Sequence, residues 1–178
     1  MWLRKNKIAI LILILTLLGS FVYFYEIRRA KRTKGIVKVE KIFNFDPEDV
    51  QEIVLTRKGQ TILLNKEDNQ WRIKKPFEGP ADNDRTLDLL SVYDFGIVRV
   101  IDSTPSNYSE YGLDRSEIEF GIKIKGNPVF ETLLIGGNNP PNTCCYAKVK
   151  GRPDVILIGI GYKRTITDYY RKIVIFMI

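Results

Sequence analysis

The sequence predicts an α+β protein: an N-terminal transmembrane helix, then a mostly antiparallel β-meander domain with one or two helices. Three observations carry this expectation. Residues 8–25 read IAILILILTLLGSFVYFY without a single charge. Short apolar–polar alternations separated by Gly, Pro, Asn and Asp fill most of the remainder, as half-buried strands require. One stretch alone, from Pro80 onward, carries leucines at helical spacing behind a capping residue.

The expected span begins after a short basic tail, residues 1–7, and runs from Ile8 to Tyr25. A helix rises about 1.5 Å per residue, so this run nearly matches a hydrocarbon core of roughly 30 Å. Trp2 lies before it, and Tyr23 and Tyr25 close it, as rings at headgroup depth would. A cleaved signal peptide shares the basic start and the apolar run. Its small-x-small site is missing, however, because bulky Phe21 to Tyr25 follow Gly19-Ser20. The span is therefore read as an uncleaved anchor, and residues 26–40 as a basic juxtamembrane stalk.

The domain over residues 41–178 then unfolds in order. Ile53 to Arg57 and Thr61 to Asn65 flank Lys58-Gly59-Gln60 as a hairpin, and Lys66 to Asn69 turn into Gln70 to Lys74. Trp71 and Ile73 alternate there with polar neighbours, so Trp71 is expected in the core. A helix follows, with Asp82 as its cap and Leu87, Leu90 and Tyr93 on one face up to a stop at Gly96. Val98 to Ile101 reads as a short strand. A second meander comprises Ile118–Lys125, Val129–Ile135, Thr143–Val149 and Val155–Ile160, with Gly136 to Asn142 as a loop. The end, from Tyr162, reads as a short helix that turns apolar at Ile173.

Charge argues against nucleic acid as a partner. The net charge is +7, but Arg4, Lys5, Lys7, Arg28, Arg29, Lys31, Arg32 and Lys34 flank the span against Glu26 alone. Setting these aside leaves 20 Lys and Arg against 20 Asp and Glu. A neutral domain offers no broad footprint for a phosphate backbone. The collar instead suits anionic membrane lipid, at about 1 kcal/mol per charge near the surface. Orientation stays split on this count, since the larger basic cluster follows the span while the basic tail is the usual cytoplasmic end.

Catalytic chemistry finds little support. With no histidine, Ser-His-Asp and Cys-His arrangements and His-ligated metals are excluded. Cys144 and Cys145 are adjacent, so on a strand they face opposite sides and suit neither a zinc knuckle nor a CxxC pair. Two reduced thiols, one buried and one exposed, or a strained vicinal disulfide both fit. Gly136, Gly137, Asn138 and Asn139 form the best candidate binding surface, since glycine-rich loops can present backbone N–H groups to phosphate. A strand follows rather than a helix N-terminus, so an ordinary connection is the simpler reading. Asp82, Asp84 and Asp88 could form a weak cation site, but helix capping and macrodipole complementarity explain the first two more simply. No cofactor or metal is implied.

Several of these residues, in this order, resemble the DUF4340 domain: Trp71-Arg72-Ile73-Lys74-Lys75-Pro76, then Ala81-Asp82 before a Leu-rich helix. Tyr111-Gly112-Leu113-Asp114, Leu134-Ile135-Gly136 and Tyr146-Ala147 extend the likeness, which runs from about Ile42 to Phe176. The family is mostly uncharacterised. Its members typically carry one N-terminal membrane helix, and some belong to the auxiliary part of gliding-motility-type ABC transporters. The resemblance implies a single-pass protein of the inner (cytoplasmic) membrane with an extracytoplasmic domain. Members often continue into a second similar unit, and Lys172 to Phe176 echoes Lys41 to Phe45. A one-unit version, one unit of a longer two-unit protein and chance all remain open.

The expected function is a non-catalytic, membrane-anchored accessory or scaffold domain of an envelope complex, with an ABC transporter as the implied complex. The expected partners are membrane lipid and other membrane or envelope proteins, including transporter subunits. The alternative is a module that binds an envelope polymer or a small ligand.

Overall fold

Two-residue turns set the register of the first three strands. Lys58 and Gly59 have φ of 49° and 77°, and Asp68 and Asn69 have φ of 48° and 63°. Positive φ at both central residues matches the twist of the flanking strands, which favours tight hairpins. The strands are therefore longer than the sequence suggests: β1 is Val50–Arg57, β2 is Gln60–Glu67 and β3 is Gln70–Lys75.

The computed structural model describes residues 14–21, 23, 40–91 and 96–175. The eight basic flanking residues, both ends of the expected span and most of the 26–40 stalk lie outside the described residues, as do Tyr93 and Phe176. The chain divides into two units, Met1–Lys38 and Val39–Ile178. In the first, residues 14–21 and 23 are helical and exposed. Among the described residues no helix is long and apolar enough to cross a membrane.

The second unit is built on one antiparallel sheet. After β3 come β4 (Gly79–Pro80), helix α1 (Asn83–Ser91) and β5 (Arg99–Asp102), then β6 (Ile118–Ile124), β7 (Glu131–Asn138), β8 (Cys144–Val149), β9 (Val155–Gly159) and helix α2 (Ile160–Ile175). The strand order is β4-β3-β2-β1-β6-β7-β8-β9-β5. The two predicted meanders thus fuse through β1 and β6, with Ile53 opposite Ile122 and Arg57 opposite Ile118. Strand β5 leaves the first meander and pairs with β9 at the far edge.

The period of two puts one face in the core. Ile53, Leu55, Ile62, Leu64, Trp71, Ile73, Phe120, Ile135, Ala147 and Ile158 are all buried. They form one cluster with Leu89 and Leu90 of α1, Ile42 and Phe43, and Tyr162, Ile166, Tyr169, Tyr170 and Ile173 of α2. The other face is half-buried and polar in places. There the Thr56 and Thr61 hydroxyls meet at 3.0 Å, and Lys123 bonds Glu52 at 2.7 Å.

Both helices differ from expectation. In α1 the buried residues are Thr86, Leu89 and Leu90, while Leu87 is 51% exposed. The helix starts at Asn83, so its sheet-facing stripe runs through 86, 89 and 90 rather than through Leu87. Helix α2 is continuous from Ile160 to Ile175, so Lys172 to Ile175 are helical. Lys41 to Phe45 form no strand either, so the sequence echo between these segments is not an echo of structure.

Candidate functional site

The ends of β1 and β7, the residue before β6 and the first turns of α2 meet at one edge of the domain. Pairing of Arg57 with Ile118, and of Ile118 with Ile135, puts Arg57, Glu117 and Gly136 at the same end of the sheet. Between them and α2 lies a cleft of about 440 Å³, with Arg57, Glu117, Asn138, Lys163, Arg164 and Arg171 among its lining residues.

The polar centre of the cleft is Lys163, whose side chain is 13% exposed. Its ammonium donates to the Gly136 carbonyl at 2.9 Å, to Asn138 Oδ1 at 3.2 Å and to Glu117 Oε2 at 2.7 Å. Three acceptors match the three protons of an ammonium. The second Glu117 oxygen accepts from Arg57 Nη2 at 2.9 Å. Burial alone would raise the Glu117 carboxyl, but hydrogen bonds and charge from Lys163 and Arg57 outweigh it and hold the group below the usual carboxylate range. Arg57 lies over the Tyr170 ring, 5.8 Å from its centre, and its buried Nε has no hydrogen-bond partner among the described residues.

Of the four residues singled out from the sequence, only Asn138 presents its side chain to this cleft, and Gly136 contributes a carbonyl. Gly136, Gly137 and Asn138 belong to β7 and not to a loop, which corrects the expected Gly136–Asn142 connection. A register shift between Ile135 and Asn138 lets the strand run on into pairing with β8. Gly136 serves packing there. A β-carbon on Gly136 would overlap the Tyr111 carbonyl oxygen and approach Gly112 O to 2.8 Å. Asn139 closes its own turn, its Oδ1 accepting from the amides of Thr143 at 3.0 Å and Cys144 at 2.9 Å. Arg57, Glu117 and Lys163 escaped the sequence reading because nothing local marks three charges so far apart in the chain.

A second concavity, about 550 Å³, is mainly apolar and is lined by Ile73, Phe77, Pro80, Ala81, Tyr169 and Ile173. Asp82, Arg85 and Lys172 also line it. Asp82 caps α1, accepting from Arg85 N at 3.2 Å, and pairs with the Arg85 guanidinium at 3.2 Å.

The chain matches DUF4340, a domain of unknown function, over residues 25–116. The chain belongs to the DUF4340 family. No curated protein and no solved structure matches it. The DUF4340 match takes in the Trp71 phrase, Ala81-Asp82 and Tyr111 to Asp114, and it ends before Gly136 and Tyr146. In the fold these phrases hold one another. The Ala81 amide donates to Trp71 O at 2.9 Å, and the Trp71 amide donates to Asn83 Oδ1 at 2.7 Å. Tyr111 packs edge-on against Tyr146 at 5.1 Å, beside the Gly136–Gly137 backbone. Trp71 is 3% exposed, a core residue of the domain. The matched phrases of this DUF4340 domain thus sit at contacts that join the sheet to its neighbouring segments.

Proposed function

We propose that this DUF4340 protein is a non-catalytic accessory domain, held to the outer face of the cytoplasmic membrane by one N-terminal helix. It serves an envelope complex through protein contacts, and the family resemblance points to an ABC transporter. The observation that carries the anchoring is the exposure of Ile14, Leu15, Leu17 and Leu18, which are 52–69% accessible on helical backbone. Each such side chain gains about 1.5–3 kcal/mol by leaving water. They sit within an uncharged run of the length a bilayer asks for, between two basic clusters. Lipid satisfies that demand, and the basic collar then meets anionic headgroups.

Alkaline carbonate extraction of host membranes tests the anchor, and protease treatment of spheroplasts tests the orientation. The chain should stay in the pellet and be clipped from outside; its release by carbonate would sink the reading. Crosslinking in native membranes, followed by mass spectrometry, then tests the role. Capture of permease or ATPase subunits supports it. A ligand-binding role is the second reading, favoured by the apolar groove beside Phe77, whose volume falls in the small-molecule range.

A further inference from the structure

The cleft at Lys163 is built like a clamp with its occupant supplied by the chain itself. Gly136 O and Asn138 Oδ1 hold two of the three ammonium donors, at 2.9 and 3.2 Å, and so aim the third at one position. Arg57, 14% exposed, points Nη2 at the same place from the other side. What stands there is the Glu117 carboxylate, one oxygen 2.7 Å from Lys163 and the other 2.9 Å from Arg57. That carboxylate is 41% exposed and lies just outside β6, so it can swing into water without disturbing the sheet. Removing it would leave two partly buried cations facing one gap. Arg164 and Arg171 also line the cleft, Asp168 offsetting part of the latter at 4.0 Å. With the Glu117 carboxylate withdrawn, Arg57 and Lys163 present two charges to one position, with exposed Arg164 and Arg171 at the rim, and such a pair suits a dianion.

We propose that this cleft is a phosphate-binding site, in which the Glu117 carboxylate holds the place of the ligand's phosphate between Arg57 and Lys163. The carboxylate is a built-in competitor. It keeps the cations paired when no ligand is present and sets the affinity by the work of displacing it. A soluble phosphate monoester and the monoester headgroup of phosphatidic acid present the same dianionic chemistry to the clamp.

The test uses the full chain in neutral-detergent micelles, titrated with inorganic phosphate by calorimetry, with chloride of equal ionic strength as control. Saturable binding is expected, and Glu117→Gln should tighten it about fivefold or more by removing the competing charge. Arg57→Gln should abolish it. Because Arg57 also packs on Tyr170, Glu117→Gln is the deciding variant: unchanged or weaker phosphate binding there overturns the proposal. Reconstitution in vesicles distinguishes the ligand's source. If phosphatidic acid, but not phosphatidylcholine alone, suppresses phosphate binding, the headgroup is the occupant; if neither competes, the occupant is soluble. No binding of phosphate to either protein, in micelles or vesicles, overturns the proposal outright.

Discussion

Gly136 lies against the Tyr111 carbonyl oxygen so closely that a β-carbon at this position would overlap it. Two phrases of the chain, one before β6 and one at the end of β7, are thereby pressed together backbone to backbone. Gly112 takes φ of 65° at the same junction, where a β-carbon would come within 3.0 Å of Gly137 N. Gly136→Ala should therefore lower stability by about 2–3 kcal/mol, since backbone atoms cannot rotate away as side chains can. Gly137→Ala is the control, because its β-carbon would meet Tyr111 O at an ordinary 3.5 Å. Urea unfolding followed by tryptophan fluorescence separates the two, and equal losses would refute the packing account.

A buried hydroxyl pair ties the two helices together. Thr86 and Tyr169 meet oxygen to oxygen at 2.7 Å, and Thr86 Oγ1 also donates to Asp82 O at 2.8 Å. Tyr169→Phe leaves Thr86 with its Asp82 partner and should cost about 1 kcal/mol. Thr86→Val strands the Tyr169 hydroxyl in the core, and the loss should reach about 2–3 kcal/mol. Chemical denaturation of both variants checks the order, and a larger loss from Tyr169→Phe would contradict it.

Acid should weaken the domain in part through Glu117. Its folded-state carboxyl sits below the ordinary value, so the folded protein binds that proton less readily than the unfolded chain. The resulting stabilisation is present above the unfolded value, near 4.5, and is lost as pH falls through the folded value. Glu67 shifts the same way, chiefly through its hydrogen bond from Lys74. Glu117→Gln should consequently flatten, without abolishing, the fall in urea midpoint between about pH 6 and pH 3. An identical pH profile would remove the pair from the account.

The adjacent cysteines should behave as different chemicals. Both are free thiols, with Cys145 fully buried and Cys144 half-buried. Burial pushes the Cys145 thiol up to about 12, so almost no thiolate exists there at neutral pH. Maleimide on the native protein should add a single label, at Cys144, and in denaturant a second. Double labelling of the native chain would contradict the burial.

Some of this was legible in the sequence and some was not, and the split follows the range of the interactions. Hairpins could be located because Gly59, Asp68 and Asn69 tolerate the positive φ their turns need, and Trp71 could be put in the core from its neighbours' polarity. On α1 the expected Leu90 is buried, but Leu87 is exposed and Leu89 takes its place, because three-residue spacing from Leu87 fits a helix as well as Leu89 with Leu90 does. Only the start at Asn83 and the sheet beneath choose between them. The glycine pair reads from sequence as a connecting loop, with a binding surface as the candidate role, because backbone crowding by Tyr111 leaves no mark beside Gly136. The cleft was invisible for the same reason, being assembled from positions 57, 117, 138 and 163.

What the sequence determined by itself is therefore local: an uncharged run between basic clusters, the alternation of strands, the turns, the cap at Asp82 and the absence of histidine chemistry. Tertiary structure decided the rest: the joining of β1 to β6, the crossing of β5 to the far edge and the convergence of Arg57, Glu117 and Lys163. Periodicity and turn preference act within a few residues and so are written in neighbours. Strand partners and charge clusters depend on contacts between distant segments, whose register is settled only when the whole core is buried.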